Sequence, residues 1–410
     1  MKILFLAHRI PYPPDKGEKI RAWQELRFLA SRHKVDLFAF ADRREQATGR
    51  PALAQFCRKM HFEELPHGFA IARAVVSLLT GKPFTTGYYY SPAMEKAVRA
   101  ALAQENYDAV FVYCSAMAPY VMSSPSLPVC VDFVDSDASK WAQYARYTTF
   151  PLSWVFRQEA LKLGQYEREV AGTARLSLVS TSLEGKAIDP DGRFGVRAIE
   201  NGVCLPAPQT NPLSAEIAAL GKYVVFVGQM DYLPNVDAAC YFADQILPLI
   251  RQLHPELQFV VVGRNPSSRV RRLSDLPGVV VTGTVPDVQP YLGSAVAAVA
   301  PFRICQGIQN KILEALAIGL PVVATPRPAR AVGATSEELL FVADGAQDFA
   351  RAVVAVLENP QLRQNLGGKE FVKRRFDWER NLEPLDHWLK EAVGAGCGAS
   401  EEISNYVATG

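Results

Sequence analysis

The sequence predicts an α/β protein built from two doubly wound domains in tandem, each a parallel sheet with helices on both faces. Three observations predict it. Short apolar runs alternate with stretches of helical periodicity along most of the chain. The alternation stops at 206–212 (PAPQTNP), where three prolines forbid a helix or an inner strand, and then restarts. A length of 410 residues exceeds one ordinary core and fits two domains.

In the first half the apolar runs 3–7, 35–40, 109–113, 129–134 and 176–180 read as buried strands. Helical patterns fall at 19–31, 92–104 and 152–172. After the break, strands are expected at 223–227, 258–262, 279–281, 295–300 and 321–324, with helices at 235–253, 307–318 and 346–357. Two more helical stretches, 361–374 and 377–393, close the chain. The expected division is therefore a first domain over 1–205 and a second over 213–376. A helix at 377–393 packs back toward the first domain, and a flexible tail runs over 394–410. Two such domains facing one another leave a cleft, the usual place for a ligand. In each domain the ligand crevice is expected at the carboxyl ends of the strands.

Composition excludes several classes. Hydrophobic residues make up 49% and charged residues 21%, ordinary for a globular protein. The net charge of +2 gives no reason to expect a nucleic-acid partner, although the basic excess sits before residue 205 and suits an anionic lipid or acceptor. Seven cysteines without a CxxC spacing point to reduced thiols and to neither disulfides nor zinc. The opening MKILFLA is too short for a signal peptide and reads as the first strand. No run approaches 18 apolar residues, so no membrane span is expected and the localisation expected is cytoplasmic. The stretch 69–80 (FAIARAVVSLLT), with Arg73 as its one charge, is the candidate for peripheral contact with the inner membrane. A buried helix is the reading favoured for it.

The segment 306–315 (QGIQNKILEA) carries the most chemistry. Spaced as a helix, Gly307, Asn310, Lys311 and Glu314 share one face, while Ile308, Ile312, Ala315 and Leu316 share the other. A helix start offers free N–H groups and partial positive charge, so Gln306, Gly307, Ile308, Gln309 and Asn310 are placed to meet a phosphate. Lys311 can stabilise the charge that develops on a diphosphate leaving group. Glu314, one turn on, can accept hydrogen bonds from sugar or ribose hydroxyls. A plain Lys–Glu surface pair is the competing reading.

Other strand ends add to this. Gly228 directly ends a strand, where a backbone can approach a ligand, and Asn235 follows as a helix cap. Gly263-Arg264 repeats the pattern, with Arg264 able to meet a phosphate. The turn at Gly283-Thr284-Val285-Pro286 can offer backbone groups to a nucleobase edge. In the first domain, the loop 8–21 brings Gly17 to a helix start, where phosphates can come close. The 132–137 run (DFVDSD) ends a strand with Asp135 and Asp137, either of which can orient an acceptor hydroxyl or take its proton. Helix capping by Ser136 or Asp137, and a D-x-D metal site, compete for the same residues. His8 is the histidine at a strand end, and a role as base is open to it.

These residues resemble glycosyltransferase family 4, which has the GT-B fold of two Rossmann-like domains. The resemblance is carried by Phe226-Val227-Gly228, Pro234-Asn235, Val262-Gly263, Gly283 with Pro286, and 314–324 (EALAIGLPVVA). Asn201-Gly202-Val203 also matches. The first half, through 8–17 (HRIPYPPDKG) and 132–137, and the later Gly307–Lys311 stretch look like one subgroup, the sugar transferases associated with PEP-CTERM/exosortase exopolysaccharide systems. The resemblance implies a nucleoside-diphosphate sugar bound by the second domain and a saccharide or lipid-linked saccharide acceptor bound by the first. It also implies transfer with retention, no metal in the chemical step and no cofactor beyond the donor itself. Two departures stand out. The family has two glutamates eight apart; Glu314 matches the second, but Gln306 replaces the first. The residues after Gly228 also lack the usual Arg and Lys, a gap that Lys311 and Arg264 or Arg303 would fill. A UDP-sugar epimerase of GT-B fold and a non-catalytic nucleotide-sugar-binding partner in polysaccharide assembly remain as alternatives.

Overall fold

The computed structural model of the chain describes residues 1–122, 127–203, 215–334, 340–359, 361 and 367–407. It falls into two compact units, Met1–Glu200 with Glu379–Gly410, and Asn201–Trp378. The linker expected at 206–212 lies outside the described residues.

The first unit is built on a parallel sheet of β1 (Lys2–Ala7), β2 (Lys34–Phe40), β3 (Cys57–Glu63), β4 (Ala109–Tyr113), β5 (Val129–Asp132), β6 (Leu176–Val179) and β7 (Arg197–Ala198). Their order is β3-β2-β1-β4-β5-β6-β7. Ile3 pairs with Val35 on one side and Ala109 on the other, and Ile3 to Ala7 are wholly buried. Helices on both sheet faces explain why these inner strands read as unbroken apolar runs. β3 escapes that signature because it is an edge strand, and Arg58, Lys59, His61 and Glu63 break its apolar run.

The second unit repeats the plan with β8 (Tyr223–Val227), β9 (Gln258–Val262), β10 (Val279–Gly283), β11 (Ala297–Ala300), β12 (Val322–Ala324) and β13 (Phe341–Val342), in the order β10-β9-β8-β11-β12-β13. In both sheets the chain starts in the middle, winds outward one way, then crosses back to wind the other. The switch lies between β1 and β4 in one unit and between β8 and β11 in the other.

Several elements differ from the sequence expectation. The 235–253 helix is three pieces: Leu233–Tyr241, a π turn at Phe242–Ile246, and Leu247–Arg251. Pro248 explains the wide turn, since it lacks an N–H and its ring crowds the carbonyl four residues back. Asn235 is therefore inside the helix and not its cap, which is Tyr232. The helix expected from 307 begins at Asn310, because Gly307 is left-handed at φ +58° and the chain still turns there.

The helix His67–Leu79 exists, but the favoured expectation that it is buried fails. It buries Ala70 and Ala74, and its large side chains point outward. The small residues sit against the short helix Phe84–Tyr88, so close that a Cβ on Gly87 would lie 2.2 Å from Ser77 Oγ.

The last helix, Trp378–Val407, buries Leu382, Leu385, Leu389 and Ala392 along one stripe. His33 Nε2 meets Asp386 Oδ1 at 2.8 Å and Asn381 Nδ2 donates to the Glu200 carbonyl at 3.2 Å, which fastens it to the first unit. The helix runs on past Gly394, so the tail expected at 394–410 is helical to Val407. From Ala399 to Val407 the sequence has neither glycine nor proline to end it.

Candidate functional site

In the second unit the residues singled out from sequence follow the carboxyl ends of its parallel strands. Gly228 follows β8, Gly263 and Arg264 follow β9, Thr284 and Val285 follow β10, and 306–310 leads from β11 into the Asn310–Ala317 helix. Gly228 and the 310–317 helix flank the β8–β11 switch, where the two windings diverge and leave an opening beyond the strand ends.

Lys311 lies at that opening. Its ammonium donates to Asn235 Oδ1 at 2.6 Å and sits over the Phe226 and Phe302 rings, 4.6 and 4.7 Å from their centroids. Asn235 is itself fixed by donating through Nδ2 to the Gln229 carbonyl at 2.9 Å. Among the described residues no carboxylate forms an ion pair with Lys311. Burial pushes its ammonium down to about 7, against a smaller opposing pull from Glu314. The Glu314 carboxyl is raised by burial, with Lys311 working the other way. A cation held by an amide and two ring faces, with its charge half withdrawn, gains most when an anion arrives.

The backbone there leaves no spare room. A Cβ on Gly228 would lie 2.7 Å from Asn235 Nδ2 and 3.0 Å from Lys311 Nζ. One on Gly263 would lie 1.7 Å from the Gly228 carbonyl oxygen. Both glycines are needed for β8 and β9 to end side by side beneath the lysine.

The remaining predicted residues divide. Asn310 opens the helix with a buried Oδ1 that has no hydrogen-bond partner among the described residues, and Gln309, at the cap position, makes no side-chain cap there. The N–H groups of Asn310 and Lys311 thus head the helix. Gln309 Nε2 donates to the Gln306 carbonyl at 3.0 Å, and Gln306 Oε1 accepts from Arg327 at 3.2 Å. Ile308 is a core residue, so its side chain belongs to packing and only its backbone can serve the site. Val285 packs on the core and Thr284 is exposed. Arg264 has its carbonyl bonded to the Met230 N–H at 2.9 Å. Arg303 is committed elsewhere, to the Asp237 carboxylate with Nε at 3.0 Å and to the Tyr241 ring. Sequence reasoning took Asn235 for a cap and passed over Arg327. The strand-end rule reaches Arg327, which follows β12 at Pro326-Arg327-Pro328.

In the first unit, Gly17 opens the Gly17–Ala30 helix. Arg21 in that helix is wholly buried and ties it to β5: Nε donates to Asp132 Oδ2 at 2.6 Å and Nη1 to the Ile199 carbonyl at 2.7 Å. Asp132 Oδ1 accepts from the Val134 N–H at 2.8 Å, across a residue held at φ +67°. A β-branched residue in the left-handed region is strained, and such strain marks places that position chemistry.

Beyond Val134 the two candidate aspartates part company. Asp135 accepts from Ser180 Oγ; burial and then the nearby Glu184 push its carboxyl up to about 7. Asp137 starts the Asp137–Arg146 helix and pairs with Lys140, while Ser136 is the cap, accepting from the Ser139 N–H. Glu184 accepts from the Ser136 N–H at 2.9 Å and Glu167 from the Ala138 N–H at 3.2 Å, two acids invisible to motif reading. His8 is buried on Tyr113, ring to ring, and its imidazole is pushed down to about 4, chiefly by burial, with Glu18, Arg9, Asp137 and Lys140 as charged neighbours. Its Nδ1 has no hydrogen-bond partner among the described residues.

Residues 221–359 match the family model described as Glycosyl transferases group 1. The second unit carries a group 1 glycosyl transferase domain. A phosphatidyl-myo-inositol mannosyltransferase of Mycobacterium leprae (strain TN) is 26% identical over 299 residues, covering 70% of this chain and 75% of the relative. Among solved structures, sucrose-phosphate synthase from Thermosynechococcus elongatus superposes with a TM-score of 0.70 at 17% identity, over 96% of this chain and 100% of its own. Anabaena Alr3699/HepE in complex with UDP and glucose does so at 0.67 and 17%, over 95% and 100%. These structures establish the GT-B fold, with two Rossmann-like parallel sheets. The group 1 match over the second unit and the mannosyltransferase relative are the sequence likenesses that tie the chain to glycosyl transferases.

Proposed function

We propose that the chain is a retaining glycosyltransferase. It moves a sugar from a nucleoside diphosphate to a saccharide or lipid-linked saccharide acceptor in exopolysaccharide synthesis. In this reading it works in the cytoplasm, peripheral to the membrane, with no metal in the chemical step and no cofactor besides the donor. The observation that carries the reading is Lys311, a half-buried ammonium with no ion pair among the described residues, at the switch point of a group 1 domain.

The chemistry follows from charge. As the bond from the anomeric carbon to phosphate oxygen breaks, the electron pair stays on the diphosphate. Lys311, fully protonated once the anion is bound, and the N–H groups heading the 310–317 helix stabilise that charge where it forms. Arg327, through Gln306, adds positive charge beside the helix start. Gly228 leaves the space beside the strand end that Asn235 and Lys311 fill, and so sets where the ammonium meets the diphosphate. Glu314, whose raised carboxyl keeps a proton more readily than a free one, is suited to hydrogen bonds with sugar hydroxyls. In the first unit Asp135 or Asp137 orients the acceptor hydroxyl and takes its proton as the new bond forms.

The testing experiment is a thermal-shift screen of nucleotide sugars, since a bound ligand raises the melting temperature by mass action. Hits are then incubated with saccharide acceptors. A glycosylated product supports the reading. Donor turnover with no acceptor present would instead indicate the epimerase. Binding without turnover across the panel would indicate a non-catalytic partner, the alternative that Gln306 favours.

A further inference from the structure

The outward face of the His67–Leu79 helix carries Phe69 (72% exposed), Ile71, Val75, Val76 (58%) and Leu79 (81%). A surface helix ordinarily turns charge toward water; this face holds none. A second apolar stripe lies on the Leu152–Thr173 helix, where Trp154 and Leu161 (70% exposed) fall two turns apart on one side, with Phe150 exposed just before it. The two helices are fastened together. Lys162 Nζ donates to the Leu78 carbonyl at 2.7 Å, so Leu79 and Leu161 flank a single hydrogen bond. Glu159 accepts from the Phe84 and Thr85 N–H groups, at 2.6 and 2.9 Å, locking the short helix that supports the first one.

Charge around the apolar residues of this face is mainly basic: on the Leu152–Thr173 helix Glu159 and Glu167 are buried, and Glu169 is exposed two turns beyond Leu161. No Asp or Glu occurs between Glu64 and Glu95, or between Asp137 and Glu159. The same stretches contain Arg73, Lys82, Lys140, Arg146 and Arg157, of which Lys82, Arg146 and Arg157 are exposed. A patch of this kind on a lone globular protein marks an interaction surface. A second copy docked through the same face would set cation against cation. An anionic headgroup layer over an acyl boundary matches both the apolar residues and the charge.

We propose that the face formed by the His67–Leu79 and Leu152–Thr173 helices docks on a bilayer rich in anionic lipid, with Phe69, Val76, Leu79, Trp154 and Leu161 entering the headgroup–acyl boundary. This names the lipid contact within the peripheral location proposed above and rests on that location, not on the sugar chemistry.

The full chain is sedimented with phosphatidylglycerol–phosphatidylcholine vesicles and with phosphatidylcholine vesicles alone, at low and high salt, with no donor or acceptor present. The expected result is binding to the anionic vesicles that weakens with salt. The double variant Val76→Asp/Leu79→Asp should bind at least tenfold more weakly, with an unchanged melting temperature because both side chains are exposed. Absence of binding by the folded wild-type chain overturns the proposal, as does equal binding to neutral vesicles or unweakened binding by the variant. A concentration-dependent dimer that the double substitution dissolves, without vesicle binding, assigns the face to a second copy instead. Sugar transfer is assayed separately with soluble acceptor, so failure of lipid docking leaves it standing and failure of transfer leaves docking standing.

Discussion

The Lys311 ammonium rests on Asn235 Oδ1 at 2.6 Å, so one amide from the helix after β8 holds a cation from the helix after β11. That link spans the switch point of the second sheet and sets the charge of the proposed donor site.

It makes donor binding depend on pH. With its folded value pushed down to about 7 from an ordinary 10.5, Lys311 is neutral in the folded chain and charged in the unfolded chain between those values. The unfolded state then binds more protons, so stability of the ligand-free protein rises with pH across that window. Donor affinity runs the opposite way, falling above about pH 7 as the cation is lost. Lys311→Met should remove both trends. Melting curves and nucleotide-sugar calorimetry from pH 6.5 to 9.5, wild type against variant, check this.

Gly228→Ala should weaken the donor without unfolding the chain. The new methyl would press on Asn235 Nδ2 and Lys311 Nζ, both ends of side chains that can shift at a cost of roughly 1–3 kcal/mol. Gly263→Ala meets the Gly228 carbonyl instead, which cannot shift alone, and should cost more stability than Gly228→Ala. Chemical denaturation of the two variants, compared with their donor affinities, separates the effects.

Arg21→Met leaves Asp132 buried without its cation and should cost about 3–5 kcal/mol. Because Asp132 also holds the Val134 turn, any folded variant should lose acceptor-dependent turnover while keeping donor affinity. Denaturant midpoints together with calorimetry provide the check.

Asp135 and Asp137 are distinguished by their partners. Asp135, raised to about 7 from an ordinary 3.8, keeps a proton in the folded chain that the unfolded chain has lost. Stability therefore falls as pH rises between those values, and Asp135→Asn should flatten the fall. If Asp135 also takes the acceptor proton, the same substitution should lower turnover by about 10²–10⁴-fold. Asp137→Asn is assayed beside it. Unchanged turnover in both variants would remove the acceptor role from this turn.

The inner strands were legible in the sequence because a strand buried on both faces is almost wholly apolar, as 109–113 and 223–227 show, and the exceptions Asp36 and Asp132 are each paired with an arginine. Edge strands were not, since β3 keeps four polar side chains and β13 has only two residues. The proposed donor site was half legible. Gly228, Lys311 and Glu314 declare themselves by position after strands and on a helix face. The start of that helix was misplaced by three residues, because Gly307 reads equally well as a helix opener or as a left-handed turn. Asn235 as the anchor of Lys311, and Arg21 as the anchor of Asp132, join residues far apart in the chain, which no local pattern encodes. The buried reading of 69–80 failed because hydropathy tells how apolar a helix is, not whether anything covers it.

The most direct test of the donor site is a crystal structure of the chain with a nucleoside diphosphate, UDP or GDP. The diphosphate oxygens should lie within hydrogen-bond distance of Lys311 Nζ and of the N–H groups heading the 310–317 helix, with the nucleoside toward β9 and β10. A nucleotide bound elsewhere, with Lys311 still resting on Asn235 and nothing at the helix start, would contradict it.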